Sequence, residues 1–380
     1  LVFAVTLFPA TSCQDEPSQA MRESAGTREA VSASERDEPD PPTRVSIPLG
    51  EFQAGTRPGH FQRQPELDPR PFSAKLGPFE IDSDLYPNEA GKPPLLGASR
   101  EEAGRLCGEA GGRLCTELEW ERACRGKNNL PFSTGEKWND ECAPSCANDL
   151  RVRSMGTRAE WTASDFLPPS PLAGSPVLRG PADPDTTQAD ERRCANRHGP
   201  AKEGAQTSTA GFRCCYGAPN AVRVVEPSEG NVFEKRAFDG KALEKLLRSN
   251  PRTEPLADEL SVFGEPEAIN TVMDRGPGDT QGFLFTTSPL IWRPATGTEF
   301  LVLAAKSGKA TSFVLAYHVV ARDEFELASS FVMHGEKGPV ILAYSPSIRP
   351  RLHFSSCWGC PGETGKVLFR PPDSAVVLQP

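Results

Sequence analysis

Cysteine constrains this chain more than any other residue type. There are eleven: Cys13, Cys107, Cys115, Cys124, Cys142, Cys146, Cys194, Cys214, Cys215, Cys357 and Cys360. With Cys13 set aside, ten remain, an even set suited to cross-linking in an oxidising compartment. A thiol left over outside the cell is reactive and usually avoided, so Cys13 needs its own explanation. The rest of the composition asks for covalent staples. Only 37% of residues are apolar, while 38 prolines and 33 glycines imply a loop-rich chain rather than long helices.

The first residues explain Cys13. Leu1-Val2-Phe3-Ala4-Val5-Thr6-Leu7-Phe8 is an apolar run too short to span a bilayer, and it reads as the end of a signal-peptide hydrophobic region. Ala10-Thr11-Ser12-Cys13 then resembles a bacterial lipobox, whose cysteine becomes the lipidated first residue, although Ala10 stands where Leu is usual. The alternative is a plain secretory signal with a stray thiol. The lipoprotein is preferred because secreted proteins seldom leave one thiol over. Residues 14–45 carry eight acids, four arginines and few large apolar side chains. Such a segment cannot bury enough surface to offset its ordering entropy, so it is expected to be a disordered tether of roughly 30 Å. These features predict an exported protein of the bacterial cell envelope, membrane-anchored through lipid on Cys13. A net charge of −9 with no basic patch argues against nucleic acid as a partner.

Order is expected from Ser46 onward, with an alternating strand at Gly77–Asp82. Ser99 and Glu102 cap a helix over 99–110, whose buried stripe is Ala103, Leu106, Cys107 and Ala110. Within Arg113–Gly126, Thr116 and Glu119 make a capping box, Trp120, Ala123 and Cys124 share one face, and Gly126 stops the helix. Residues 127–217 read as irregular. A linker at 218–259 contains a short charged helix at about 239–248, with Lys241, Leu243, Leu246 and Leu247. From Leu260, strand-like runs at 282–285, 300–304, 312–317, 340–344 and 366–369 are separated by turn signals, which predicts an antiparallel sheet domain over 260–380.

The wording of Arg113–Gly126 closely resembles the RLPTEAEWE-type signature of the formylglycine-generating enzyme (sulfatase-modifying factor) family. Other landmarks follow in that family's order. Ile47, Pro48, Gly50, Phe52 and Gly55 resemble its IPGGxFxMG opening, with departures at Leu49 and Ala54. Phe79, Ile81 and Asp82 match FxID, and Gly156–Thr162 is similar to GNVxEWT. Val177–Gly180 is similar to VxRGG, and Gly211–Cys214 to the closing GFR. The matches cover about residues 46–217. The fold class implied is α+β: a loop-rich, C-type-lectin-related domain over 46–217, followed by the smaller, mainly antiparallel β domain at 260–380.

The resemblance also implies pairings. In the family's eukaryotic type, corresponding cysteines join as Cys107–Cys214 and Cys124–Cys194. Bookkeeping and proximity then leave Cys115–Cys215, Cys142–Cys146 and Cys357–Cys360. Family members that oxidise a substrate cysteine to formylglycine bind copper(I) through two cysteines, ten and five residues before the position of Cys194. Those positions hold Pro184 and Ala189, and 147–193 contains no cysteine. Neither side chain offers the soft thiolate that copper(I) prefers, so copper is not expected and no catalytic residue is assigned. The family's structural calcium uses an Asn and a Glu. Thr157 stands at the Asn position and Glu160 is retained, so Glu160 is equally a calcium ligand or a salt-bridge partner of Arg158 or Arg153.

The expectation is a catalytically silent binding module for an envelope protein, peptide or glycan. Its site would lie in or beside Pro181–Gln206, with Arg179, Asp183, Asp185 and Arg192 as polar candidates. The alternatives are a divergent formylglycine-generating oxidoreductase acting on a protein, and a structural component of the envelope. Remaining motifs read as structural. Cys357-Trp358-Gly359-Cys360 lies in loop chemistry, Lys306–Lys309 reads as a hairpin turn, and the five histidines lack metal spacing, with His318 as a strand core residue.

Overall fold

The computed structural model describes residues 44–378 apart from 60–62, 142–146, 201–208, 262, 275–279, 281, 335–337, 347–350 and 359–363. The signal-like segment, Cys13 and all but Arg44 and Val45 of the expected tether therefore lie outside the described residues, as does the Cys142–Cys146 pair. Arg44 and Val45 open the first strand.

That strand, β1 (Arg44–Ile47), alternates exposed and buried residues, which puts Val45 and Ile47 in the core. β2 (Gly50–Ala54) pairs with β3 (Phe72–Leu76), and β4 (Phe79–Asp82) pairs with β1. α1 (Arg100–Glu109) starts where the Ser99 side chain accepts a hydrogen bond from the Glu102 amide, and it buries Ala103 and Cys107. Its expected stripe is too long by one residue, because Ala110 is the exposed C-cap. β5 (Arg113–Leu114) precedes α2 (Glu117–Arg125), which has the expected capping box of Thr116 and Glu119 and ends at Gly126 with φ 69°. The segment is thus strand, turn and helix, since Thr116 as N-cap takes extended backbone.

β6 (Glu160–Asp165), β7 (Pro176–Arg179) and β8 (Arg197–His198) form a small sheet. β9 (Cys214–Tyr216) lies between β4 and β5 in a four-stranded sheet of order β1-β4-β9-β5. Adjacent residues on a strand face opposite ways. Cys214 therefore bonds Cys107 of α1 within one core cluster, while Cys215 bonds Cys115 within another. The third bridge joins Cys124 of α2 to Cys194. Cys357 is disulfide-bonded as well, and Cys360 lies outside the described residues.

The second half contains β10 (Val232–Lys235), α3 (Gly240–Arg248), β11 (Leu260–Ser261), α4 (Glu265–Met273), β12 (Leu284–Thr286), β13 (Leu290–Ala295) and β14 (Thr298–Ser307). It continues with β15 (Thr311–Ala321), β16 (Glu324–His334), β17 (Ile341–Ser345), β18 (Arg351–Ser355), β19 (Thr364–Arg370) and β20 (Ser374–Leu378). All pairings are antiparallel, in sheets of order β10-β13-β14-β15-β16, with β11 beside β14, and β12-β17-β18-β19-β20. Trp292, Phe300, Val302 and Val314 of the first sheet pack on Leu342, Leu352, Phe354 and Val367 of the second. The outer face of the first sheet, Leu301, Leu303, Phe313 and Leu315, is covered by Leu243, Leu246 and Leu247 of α3. The outer face of the second meets Ala268 and Val272 of α4 through Ile341 and Ala343.

The result is a four-layer α–β–β–α stack, so β14 and β15 are buried on both faces. That is why their sequences are continuous apolar runs rather than alternating ones. α4 departs from the strand-only expectation beyond Leu260. Gly264 as its cap and Pro266 in its first turn look like strand breakers in isolation but start a helix here. Taken together, the described residues form a sheet-rich α+β fold.

The two halves meet through buried polar contacts. Arg63, whose side chain is 0% exposed, lies 2.8 Å from Asp373 Oδ2 and also donates to the carbonyls of Asp68 and Gly297. The Gly59 amide donates to the same Asp373 oxygen at 2.8 Å. Gly297, in the β13–β14 turn at φ +74°, leaves no room for a side chain, since a Cβ would sit 1.6 Å from the Pro65 carbonyl oxygen. Gly297→Ala is expected to destabilise by about 1–3 kcal/mol or more through steric overlap added to backbone strain. Gly91→Ala, at φ +75° with nothing within 4 Å, reports the strain alone. Urea midpoints of the two variants give the difference, and equal losses would refute the steric part.

Candidate functional site

Every residue of α2 is buried, although five of its nine are charged. The arrangement is an ion network. Glu117 lies 2.9 Å from Arg179 and 3.0 Å from Arg197, and Arg197 also reaches Glu226 at 2.9 Å. Glu121 lies 3.1 Å from Arg179 and 2.9 Å from Arg125. Burial raises the Glu121 pKa, but Arg125, Arg179 and the Gly55 amide outweigh it and hold the carboxyl below its ordinary range. Glu119 is held low in the same way, against burial, by Arg113, the Thr116 amide and Asn220. This network was not legible as such, because the residues are polar and α2 has the composition of a surface helix.

The network changes the meaning of the polar candidates. Arg179 is interior, committed to Glu117, Glu121 and the Cys194 carbonyl, and does not face a ligand. Arg192 donates to the carbonyls of Gly156, Thr157, Pro184 and Thr186, and its guanidinium lies 5.1 Å from the Trp138 ring centroid, so it clamps the loop. Asp183 and Asp185 are exposed, with Asp183 accepting from the Asp185 amide in a turn. The four do not converge. At the positions aligned with the family's copper ligands, Pro184 offers only a carbonyl already bonded by Arg192, and Ala189 opens a 3-10 turn, Ala189–Arg192. These residues do not fit copper(I).

Glu160 has neither expected salt-bridge partner. Its two oxygens accept from Arg213 at 2.7 and 2.9 Å, while Arg153 pairs with Asp84. Arg213 is itself fixed by the carbonyls of Asp82, Ser83 and Arg153. The Thr157 hydroxyl donates to the Ser154 carbonyl. A fully enclosed carboxylate already neutralised by a bidentate guanidinium does not fit a calcium site, which needs six to eight oxygens around the ion. Among the described residues no group of three or more His, Cys, Asp or Glu side chains is arranged to hold a metal.

Concave surface occurs where the first half faces β15 and β16. One cleft of about 530 Å³ is lined by Thr56, Arg57, Pro71, Arg125, Arg193 and Glu324, and Arg57 bridges to Glu324 at 3.2 Å. A second of about 500 Å³ shares Pro71 and is lined by Arg70, Val225, Arg236, Arg293, Glu299 and Arg322. Both volumes fall in the range of small-molecule sites. From the stretch expected to hold the site, only Arg193 and Ala195 reach either cleft. The arginines of the second come from positions 70 to 322, with no motif to announce them.

Three histidines, His198, His318 and His353, are held below the ordinary imidazole pKa chiefly by burial. His318 lies in β15 against Phe300, as expected of a core residue. His353 is pushed down to about 4, with Lys366 and Arg351 adding to burial. A histidine whose folded pKa is lowered leaves stability intact above its unfolded value of 6.5 and loses it as pH falls toward 4. Wild-type protein should therefore lose more urea resistance between pH 7 and pH 5 than His353→Gln, and parallel losses would refute this.

The chain matches no protein-family model and no curated protein sequence. The three disulfides that join described residues are compatible with an exported protein. No helix among the described residues is long and apolar enough to cross a membrane.

Proposed function

We propose that the protein is an exported lipoprotein of the bacterial envelope, tethered through Cys13. Its residues 46–217 take a formylglycine-generating-enzyme-like fold that serves binding rather than oxidation. One observation carries the reading. Around Pro184 and Ala189, Arg179 is spent in the ion network, Arg192 on four carbonyls and Asp183 on its own turn, while the Asp185 side chain is exposed. Residues 147–193 contain no thiol, and the four polar candidates do not converge, whereas two open clefts lie at the junction of the halves.

The test is to offer the disulfide-intact protein copper(I), oxygen and a cysteine-containing peptide. The expected result is no stoichiometric copper binding and no formylglycine by mass spectrometry. Tight copper binding with peptide oxidation would overturn the reading in favour of a divergent oxidase. Tethering is tested separately by radiolabelled palmitate, whose incorporation should disappear in Cys13→Ala.

A further inference from the structure

The cleft of about 500 Å³ departs from the charge of the chain around it. The protein carries a net charge of −9, yet four arginines, Arg70, Arg236, Arg293 and Arg322, line this cleft against two glutamates. The glutamates are already committed. Glu226 belongs to buried Arg197, and Glu299 is shared between Arg70 at 3.3 Å and Arg293 at 2.9 Å. The other acids near the arginines, Glu234 on Arg293 and Asp323 on Arg236, are 62% and 77% exposed. Such rim pairs contribute little and yield readily to a better-placed anion. Arg322 is exposed and forms no ion pair or side-chain hydrogen bond among the described residues. Beside this cationic wall stands an apolar one, in which Val225 is 66% exposed.

We infer that this cleft is a binding site for a small amphipathic oxyanion, a carboxylate or phosphate carried on an apolar body. The arginines provide planar donor forks for the anionic oxygens, and Val225 with its proline neighbours covers the apolar part. The inference rests on the binding-module reading and names the class of ligand.

Phenyl phosphate is the probe, measured by calorimetry on the full chain, with inorganic phosphate and benzyl alcohol as partial ligands. Saturable one-to-one binding of phenyl phosphate is expected, stronger than that of either partial ligand and weakened by salt. Arg322→Glu and Val225→Asp, both at exposed positions, should each weaken it by about tenfold or more, the equivalent of one charge-assisted or apolar contact. Lys92→Glu, which alters net charge equally on a remote surface, should leave it unchanged. Absence of saturable binding, equal binding of inorganic phosphate, or indifference to Arg322→Glu would each overturn the inference. None of these outcomes bears on copper binding or peptide oxidation, so failure here is distinct from failure of the binding-module reading.

Discussion

Glu117→Gln should lower the stability of the folded protein by about 3–5 kcal/mol, the cost of leaving a buried charge without its partner. The carboxylate of Glu117 lies 2.9 Å from Arg179 and 3.0 Å from Arg197, and both arginine side chains are 0% exposed. Glu121 and Glu226 remain to serve Arg125, Arg179 and Arg197, so three buried cations face two anions. The amide would also aim an N–H donor at guanidinium donors. Volume is conserved, so cavity formation does not contribute. The measurement is a urea unfolding curve at neutral pH, with Arg105→Ala on the exposed face of α1 as the comparison. Arg105 pairs with Glu102 and Glu109 at the surface, and its loss should leave the midpoint where it is. If Glu117→Gln behaves like Arg105→Ala, the network does not carry the weight assigned to it.

The second large effect belongs to the Cys124–Cys194 bridge, which closes 70 residues. In the chain-entropy picture its removal in Cys124→Ala/Cys194→Ala costs about 4 kcal/mol, because the unfolded chain regains the freedom the cross-link denied it. Among the described residues of 126–193 there are two strands and a 3-10 turn, so little local structure limits that freedom. The doubly substituted protein should unfold at clearly lower urea. A non-reducing peptide map of the unaltered protein should recover Cys107–Cys214, Cys115–Cys215 and Cys124–Cys194. Any other partner for Cys124 would remove the basis for counting back to Pro184 and Ala189. Since a domain is stable by only about 5–15 kcal/mol, either change alone brings this one near its limit.

Local chemistry was legible in the sequence wherever it was written in neighbouring residues. Ser99 with Glu102, Thr116 with Glu119 and the terminating Gly126 announce α1 and α2 because capping is a short-range affair. The apolar runs of β14 and β15 announce strands covered on both sides. What could not be read were structures set by distant partners. β16 has an alternating, partly exposed face and was missed, since its identity rests on its long pairing with β15. Arg179 looked like a ligand-facing cation because its partners, Glu117 and Glu121, lie about sixty residues away on a helix of surface-like composition. The arginines of the cleft are assembled by tertiary packing alone, and nothing in their local sequence distinguishes them.

The contact between Arg63 and Asp373 has a kinetic meaning. These residues are 310 positions apart, and the carboxylate that neutralises Arg63 sits in the turn between β19 and β20. Contacts of such long sequence separation form late, because the intervening loop must be closed before they give anything back. Until that turn docks, Arg63 lacks its directly paired carboxylate and keeps only the field of Asp68, and the Gly59 amide lacks its Asp373 acceptor. Neither half can reach its final packing alone, so the sandwich and the disulfide-stapled segment should unfold together as one cooperative unit.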